Sequence, residues 1–379
     1  MNILCVEQFS HLGGGQRSLL DLLPGFVEKG WRATVAVPED GPFPEEIRRL
    51  GCSTHSLACN RYTSIRKPAG QILKYAYEMP RLTQEIDSIV SERKIDLVYV
   101  NGPRFLPPAA WVARRRSLPL VFHCHSRLLQ RSAVFLAGAS LRLSKANVIA
   151  CCRQAFEPLA GYVGPEKVRV LYNGVRAVNS IPVCLPPQLR RIGVVGRIET
   201  EKGQLDFVHA ARLVAVQFPS CQFTVTGAPL FSSREYYDQV VAASDGLPIE
   251  FPGWQSDASR IFSGLHLLVV PSTPVEATTR IIVEAYSAGV PVVAFPSGGI
   301  PEILTDNETG FLAADGTAEA LAERITSVLR LPRSDVQAVV NRARKRWEES
   351  FSLDLFRERV CQVLGKVCSP DGSERRAAL

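Results

Sequence analysis

No apolar run in the 379 residues reaches the length needed to cross a bilayer. The best candidate, around 134–141, is short and is followed by Arg142 and Lys145. The opening residues, MNILCVEQFS, have no basic segment and carry Glu7. They read as a first β-strand and not as a signal peptide. The ten cysteines include no C-x-x-C pair, so neither a zinc site nor a redox dithiol is indicated. With no export signal they are expected to be reduced and mostly buried. Short repeats are absent. So are G-x-G-x-x-G and G-x-x-x-x-G-K-[ST]. A dinucleotide-dependent dehydrogenase is therefore disfavoured. The basic stretches come without aromatic stacking platforms, which disfavours a nucleic-acid partner.

What remains is a folded α/β chain. Hydrophobic residues make up 46% and charged residues 21%, and the length fits two domains better than one. The net charge of +7 is unevenly placed. Residues 1–180 hold 24 Lys+Arg against 14 Asp+Glu, a net of +10, and 181–379 hold the other 20 against 23, a net of −3. A basic first half fits an anionic partner such as a phospholipid surface or a lipid-linked phosphate. The alternative is a merely solvated surface.

Strands are expected at 3–6, 34–37, 53–57, 97–100, 120–123, 147–150 and 168–171, with helices at 16–29, 44–50 and 69–93. This alternation implies a parallel sheet covered on both faces. Residues 176–190, RAVNSIPVCLPPQLR, carry three prolines and no periodicity, as an interdomain linker would. The alternation then restarts with strands at 192–195, 222–226 and 248–251. Helices are expected at 203–216, 235–243, 257–263, 318–329, 335–349 and 353–367.

The most informative stretch is 264–304, GLHLLVVPSTPVEATTRIIVEAYSAGVPVVAFPSGGIPEIL. It reads as strand, loop, helix over 279–288 ending at Gly289, and strand over 290–295. In such units ligands sit on the loops at the strands' carboxyl ends. Glu276 precedes the helix and Glu284 lies inside it, an E-x7-E spacing. Amides near 279–282 have no helical acceptor and could bind an anion, while a carboxylate beside them could accept from sugar hydroxyls. The alternative is a pair of solvated helix-end charges. Gly196–Gly203, GRIETEKG, places Arg197 and Lys202 at another helix start, which suits a diphosphate unless they only balance Glu199 and Glu201. Gly13, Gly14 and Gly15 read as a loop that lets backbone amides approach a ligand. His123 and His125 flank Cys124 at a strand end and share one face. One could face the site while the other is satisfied locally, and a metal pair would need a third ligand that is not in evidence.

Taken in order, GGGQR, LYNGV (171–175), GRIETEKG, FPGW (251–254), VEATTRIIVEAYSAGVPVVA and GGIPEIL resemble the retaining glycosyltransferases of family 4 over nearly the whole chain. The resemblance implies a GT-B fold, two doubly wound Rossmann-like domains facing across a cleft. It implies an acceptor-binding domain at 1–178, a nucleotide-sugar domain at 187–350, and a helix at 351–368 packing back on the first. The implied activity is transfer of a sugar from a UDP- or GDP-sugar to a glycan or lipid-linked acceptor in cell-surface polysaccharide or glycolipid synthesis. Arg197 and Lys202 would bind the diphosphate, Glu284 the ribose, and Glu276 the donor sugar. His125 would be the cleft histidine, with His123 second. Gly14 and Gly15 would lie near the phosphates and acceptor, and Trp254, Thr278, Thr279 and Arg280 would line the donor site. The nucleotide-sugar is the donor substrate, and no cofactor or metal is required, since Arg, Lys and helix dipoles can stabilise the leaving diphosphate. Where the family has Phe-Gly after its first glutamate, this chain has Thr278-Thr279. The alternatives are another GT-B enzyme, such as a nucleotide-sugar epimerase, and a non-catalytic sugar-nucleotide-binding protein. The expected location is cytoplasmic, with peripheral contact at the inner membrane face through the arginine- and leucine-rich stretch 127–145.

Overall fold

The computed structural model describes residues 1–38, 41–59, 69–178, 185, 186, 188, 190–229, 234–273 and 277–369, and at 69–74 and 76 the backbone alone. It divides into two compact units: Met1–Cys151, Ala155–Leu171 and the chain from Phe356 onward form one, and Cys152–Gln154 with Tyr172–Leu355 the other.

The first unit is built on a seven-stranded sheet in the order β3-β2-β1-β4-β5-β6-β7. Its strands are β1 (Asn2–Glu7), β2 (Arg32–Val37), β3 (Ser53–Ser56), β4 (Leu97–Asn101), β5 (Leu120–Cys124), β6 (Asn147–Ala150) and β7 (Val168–Val170). Every pairing is parallel. Its helices are α1 (Gly14–Glu28), α2 (Pro42–Arg49), α3 (Ala69–Glu92), α4 (Leu106–Arg116) and α5 (Arg131–Ser144), with the short α6 (Arg153–Phe156) at its border. All of β4 and β5 is buried, as expected of strands covered on both faces. The edge strand β3, STHS, is polar and partly exposed. Leu19, Leu22, Leu23 and Phe26 give α1 one apolar face, each side chain contributing about 1.5–3 kcal/mol on full burial.

The second unit has a six-stranded sheet in the order β10-β9-β8-β11-β12-β13, again parallel throughout. Its strands are β8 (Arg191–Val195), β9 (Gln222–Thr226), β10 (Ile249–Gly253), β11 (Leu267–Val270), β12 (Val292–Ala294) and β13 (Phe311–Leu312). The helices are α7 (Gln204–Gln217), α8 (Arg234–Ala243), α9 (Ala258–Ser263), α10 (Arg280–Ala288), α11 (Ile300–Ile303), α12 (Ala318–Arg330) and α13 (Arg333–Arg346). The period of two along β11 builds two cores. Leu267 and Val269 join Phe207, Phe223 and Ile325 on one face, and Leu268 and Val270 join Ile282, Tyr286 and Phe351 on the other.

Three features depart from the sequence reading. Gly14 and Gly15 are not loop residues but form the first turn of α1, with Gly13 as N-cap. The seam falls before Tyr172, not at 178. Val175 N donates to Phe351 O (3.0 Å), while Val175 O accepts from Leu353 N (3.1 Å) and Trp347 Nε1 (3.3 Å), which ties this segment into the second unit. Helix α4 has no counterpart in the expected elements; Pro107-Pro108 lie in its first turn, where prolines are tolerated. The last helix, α14 (Leu353–Cys368), joins the first unit from Phe356, where Arg357 Nε donates to Asp21 O of α1 (2.5 Å).

Candidate functional site

In each sheet the chain reverses its direction of growth beside the first strand, and ligands of open α/β sheets bind at the carboxyl ends next to such a point. In the second unit the point lies between β8 and β11. Gly196–Gly203 follows β8 through a 3-10 turn (Thr200–Lys202) into α7. Buried Gln204 pins this loop, donating to Arg197 O (2.7 Å) and accepting from Glu199 N (3.4 Å). Arg197 Nη2 lies 2.7 Å from Glu199 Oε1, with about a third of its side chain exposed (31%). The pairing with Glu199 is thus real, and it orients the guanidinium while leaving it accessible. Half-buried Lys202 runs along Gly196.

Two glycines allow these loops to meet. A Cβ on Gly203 (φ +67°) would lie 2.0 Å from Pro271 O, and one on Gly227 (φ +157°) 1.8 Å from Gly196 O. No other residue fits either approach. Thr273 N donates to Glu201 O (2.9 Å), which joins the loop after β11 to the loop after β8.

The loop after β11 enters α10 with Thr279 as N-cap, and the Thr279 side chain makes no capping hydrogen bond. Its first-turn amides are the helical donors that lack i−4 acceptors. Glu284 stands one turn further in, 3.8 Å from Arg280 Nε, and both side chains are mostly buried. Thr279 is buried, and the buried Oγ1 of Thr278 has no hydrogen-bond partner among the described residues. Glu276 lies outside the described residues. Gly299 N donates to Ala277 O (2.7 Å), so the Gly-Gly loop braces the entry to α10. Glu302 of α11 accepts from Arg153 N, Gln154 N (both 2.9 Å) and Tyr172 OH (3.2 Å). Trp254 directly follows β10 and is 43% exposed. Arg197, Lys202, Thr278, Thr279, Arg280, Glu284 and Trp254 therefore share one end of one sheet.

In the first unit the reversal lies between β1 and β4, and the ends of β1, β4 and β5 meet in a buried polar network. Fully buried Glu7 ends β1. Its Oε1 accepts from Gln8 N (2.6 Å), Phe9 N (3.0 Å) and Gln16 Nε2 (2.7 Å), and its Oε2 from Asn101 Nδ2. Burial pushes its carboxyl up from 4.5 to about 7, against the opposing pull of those hydrogen bonds. Asn101 Nδ2 also donates to Gly15 O (3.2 Å), and Asn101 Oδ1 lies 2.7 Å from His125 Nε2. His123 is fully buried. Its Nδ1 is hydrogen-bonded to Tyr99 OH, and burial, with His125 nearby, holds its pKa well below the usual range. The two imidazoles lie 3.8 Å apart, centroid to centroid, tilted by 39°. Of the histidine pair, His123 is the core residue, and its buried Nε2 has no hydrogen-bond partner among the described residues. His125 packs on Gly15, where a Cβ would meet its ring at 3.3 Å, whereas Gly14 faces open space.

Sequence reasoning gave Glu7, Gln16 and Asn101 no role. The signal was present: a carboxylate and a carboxamide each close an apolar strand, and only parallel pairing of β1 with β4 shows them to be neighbours. Among the described residues no helix is long and apolar enough to cross a membrane.

Residues 12–177 match the model for Glycosyltransferase Family 4, and residues 190–330 that for Glycosyl transferases group 1. The D-inositol 3-phosphate glycosyltransferases of Mycobacterium tuberculosis and Mycobacterium bovis are 30% identical over 203 residues, 50% of this chain and 41% of theirs. The matched stretch thus spans about two fifths of the length of those curated relatives. Anabaena HepE in complex with UDP-glucose superposes with a TM-score of 0.80 at 22% identity, covering 97% of this chain and 100% of that one. A glycosyltransferase from Rickettsia africae gives 0.78 at 18% identity (98% and 99% covered). The sucrose-phosphate synthase of Thermosynechococcus elongatus gives 0.76 at 19% (97% and 98%). These structures establish the shared fold, and with two family models spanning the ordered motifs the chain belongs to glycosyltransferase family 4, built on the GT-B fold.

Proposed function

We propose that this chain is a retaining glycosyltransferase that moves a sugar from a UDP- or GDP-sugar to a glycan or lipid-linked acceptor. The observation that carries the reading is the second unit's switch point. The loop that carries an accessible arginine and a lysine is tied to the loop after β11, where Thr273 N donates to Glu201 O. Arg197 and Lys202 are assigned to the diphosphate. Preorganised cations and helix-end amides stabilise the charge that develops as the diphosphate leaves. Glu284 is assigned to the ribose hydroxyls and Trp254 to the base. Glu276, Thr278, Thr279 and Arg280 are assigned to the sugar. An unpartnered buried hydroxyl such as Thr278 Oγ1 favours a donor group that hydrogen-bonds to it. In the first unit Gly14, Gly15 and His125 are assigned to the reacting sugar and its acceptor. That the relatives include a structure solved with UDP-glucose supports a nucleotide-sugar donor.

The test is a panel of nucleotide-sugars offered with and without acceptors, with anomer analysis of the product. Transfer with retained configuration is expected. Binding without turnover across the panel would convert the reading to a non-catalytic sugar-nucleotide-binding protein.

A membrane-surface acceptor is supported by α5, where Phe135, Leu136 and Leu143 are exposed beside Arg131, Arg142 and Lys145, with exposed Leu129 just before the helix. Leu141, by contrast, belongs to the core. Exposed apolar groups among cations suit an interfacial helix on anionic lipid, each cation adding about 1 kcal/mol. Co-sedimentation with anionic but not neutral vesicles, lost at high salt, is expected; equal, negligible binding to both at low salt would remove this acceptor class.

A further inference from the structure

With Glu7 ionised, as it is above its transition near 7, the network at the end of β1 has one consistent assignment of protons. An ionised carboxylate only accepts, so Asn101 must turn its amide nitrogen to Glu7 Oε2. The second contact of that nitrogen, to Gly15 O, demands the same orientation. Gln16 is fixed in the same way, because its Oε1 accepts from Gly13 N (3.1 Å) while its Nε2 donates to Glu7. Asn101 Oδ1 is therefore the atom that meets His125 Nε2, and that nitrogen must carry the proton. In the neutral ring the lone pair is then on Nδ1.

We propose that Glu7 is a positioning residue: through Asn101 it fixes His125 in the Nε2–H tautomer, so that neutral His125 offers an acceptor and not a donor at Nδ1. Only the kinetic consequence rests on the function proposed above; the tautomer does not. Other titratable groups facing the network are Cys5 on β1, Tyr99 on β4 and His123 on β5.

The test is a long-range 1H–15N correlation spectrum of the full chain labelled at histidine. It is recorded at pH 8, above the carboxyl's transition near 7, and assigned by loss of one ring in His125→Asn. Wild type should show His125 as Nε2–H alone. In Glu7→Gln the introduced carboxamide keeps its oxygen on the three donors at Oε1 and turns its NH2 toward Asn101. A Gln NH2 cannot accept from Asn101 Nδ2, so Asn101 inverts its amide at the expense of its long 3.2 Å contact to Gly15 O and donates to His125 Nε2, and Nδ1–H becomes the main form. In an Asn101→Ala background the same Glu7→Gln change should leave the tautomer where it was. The proposal is overturned if wild type shows Nδ1–H, if folded Glu7→Gln retains Nε2–H, or if the switch persists without Asn101. The wild-type spectrum needs no variant, so the proposal stays open to refutation even if Glu7→Gln does not fold. In the transferase assay Glu7→Gln should lower turnover about 10-fold or more with little change in donor KM. Absence of transfer by wild type would refute the proposed function alone, and an unchanged tautomer would refute this inference alone.

Discussion

Replacing Glu7 by Gln should change how the first unit's stability depends on pH. Burial raises the Glu7 carboxyl from 4.5 to about 7, so between those values the folded chain holds a proton that the unfolded chain has lost. The stabilisation is complete below 4.5 and disappears as pH rises through 7. At about 1.4 kcal/mol per pH unit, the window is worth about 3–4 kcal/mol. His123 works in the opposite sense. Its pKa is lowered by burial, so protonation of the unfolded chain costs stability as pH falls below its ordinary 6.5. The raw profile mixes both, and the difference between wild type and Glu7→Gln at each pH isolates the carboxyl. Hydrogen exchange read by mass spectrometry on peptides covering β1 and β4 reports this unit, and intrinsic exchange rates cancel at matched pH. From pH 5 to pH 8 wild type should lose about 2–3 kcal/mol relative to the variant. A difference constant to within about 1 kcal/mol, or one of opposite slope, would mean that the four donated hydrogen bonds balance or outweigh desolvation. The account of this network would then be wrong.

Arg197→Ala and Lys202→Ala should each cost about 2–4 kcal/mol of transition-state stabilisation while the protein stays folded, and wild-type turnover at saturating donor would remove that residue from the diphosphate site. Glu284→Gln should weaken nucleoside diphosphate binding by about 1.5–3 kcal/mol in a calorimetric titration, since the carboxylate is read as a charged hydrogen-bond acceptor; unchanged affinity would leave it as the helix partner of Arg280 alone. Gly227→Ala places a Cβ against Gly196 O at a left-handed φ and should destabilise the second unit by about 3 kcal/mol or more, seen as faster exchange in β8 and β9; near-normal protection would show that the two loops separate without cost.

Several parts of this protein follow from residue order alone. The apolar strands separated by helix-length segments dictate parallel sheets, since the chain must cross a face to return in the same direction. Gly289 ends α10 in the left-handed conformation that its place after a helical apolar run foretold. The loop carrying Arg197 and Lys202 and the helix carrying Glu284 were legible because a site at the carboxyl end of a parallel strand is local in sequence. What is not local could not be read in this way. Glu7 and Asn101 lie 94 positions apart, and His125 a further 24, yet the register of β1, β4 and β5 makes them neighbours. Choosing between His123 and His125 from the residues alone was equally out of reach, for both close the same strand. Burial on one side of the ring and an Asn on the other separate them. The glycines of 13–15 looked like a loop because glycine is a poor helix former; Gln16 Oε1, which accepts from Gly13 N, and the hold of Glu7 on Gln16 draw them into a helix. Local propensity and periodicity are properties of the chain, while proton positions and pKa values depend on what packing places around a group, and only the tertiary structure supplies that.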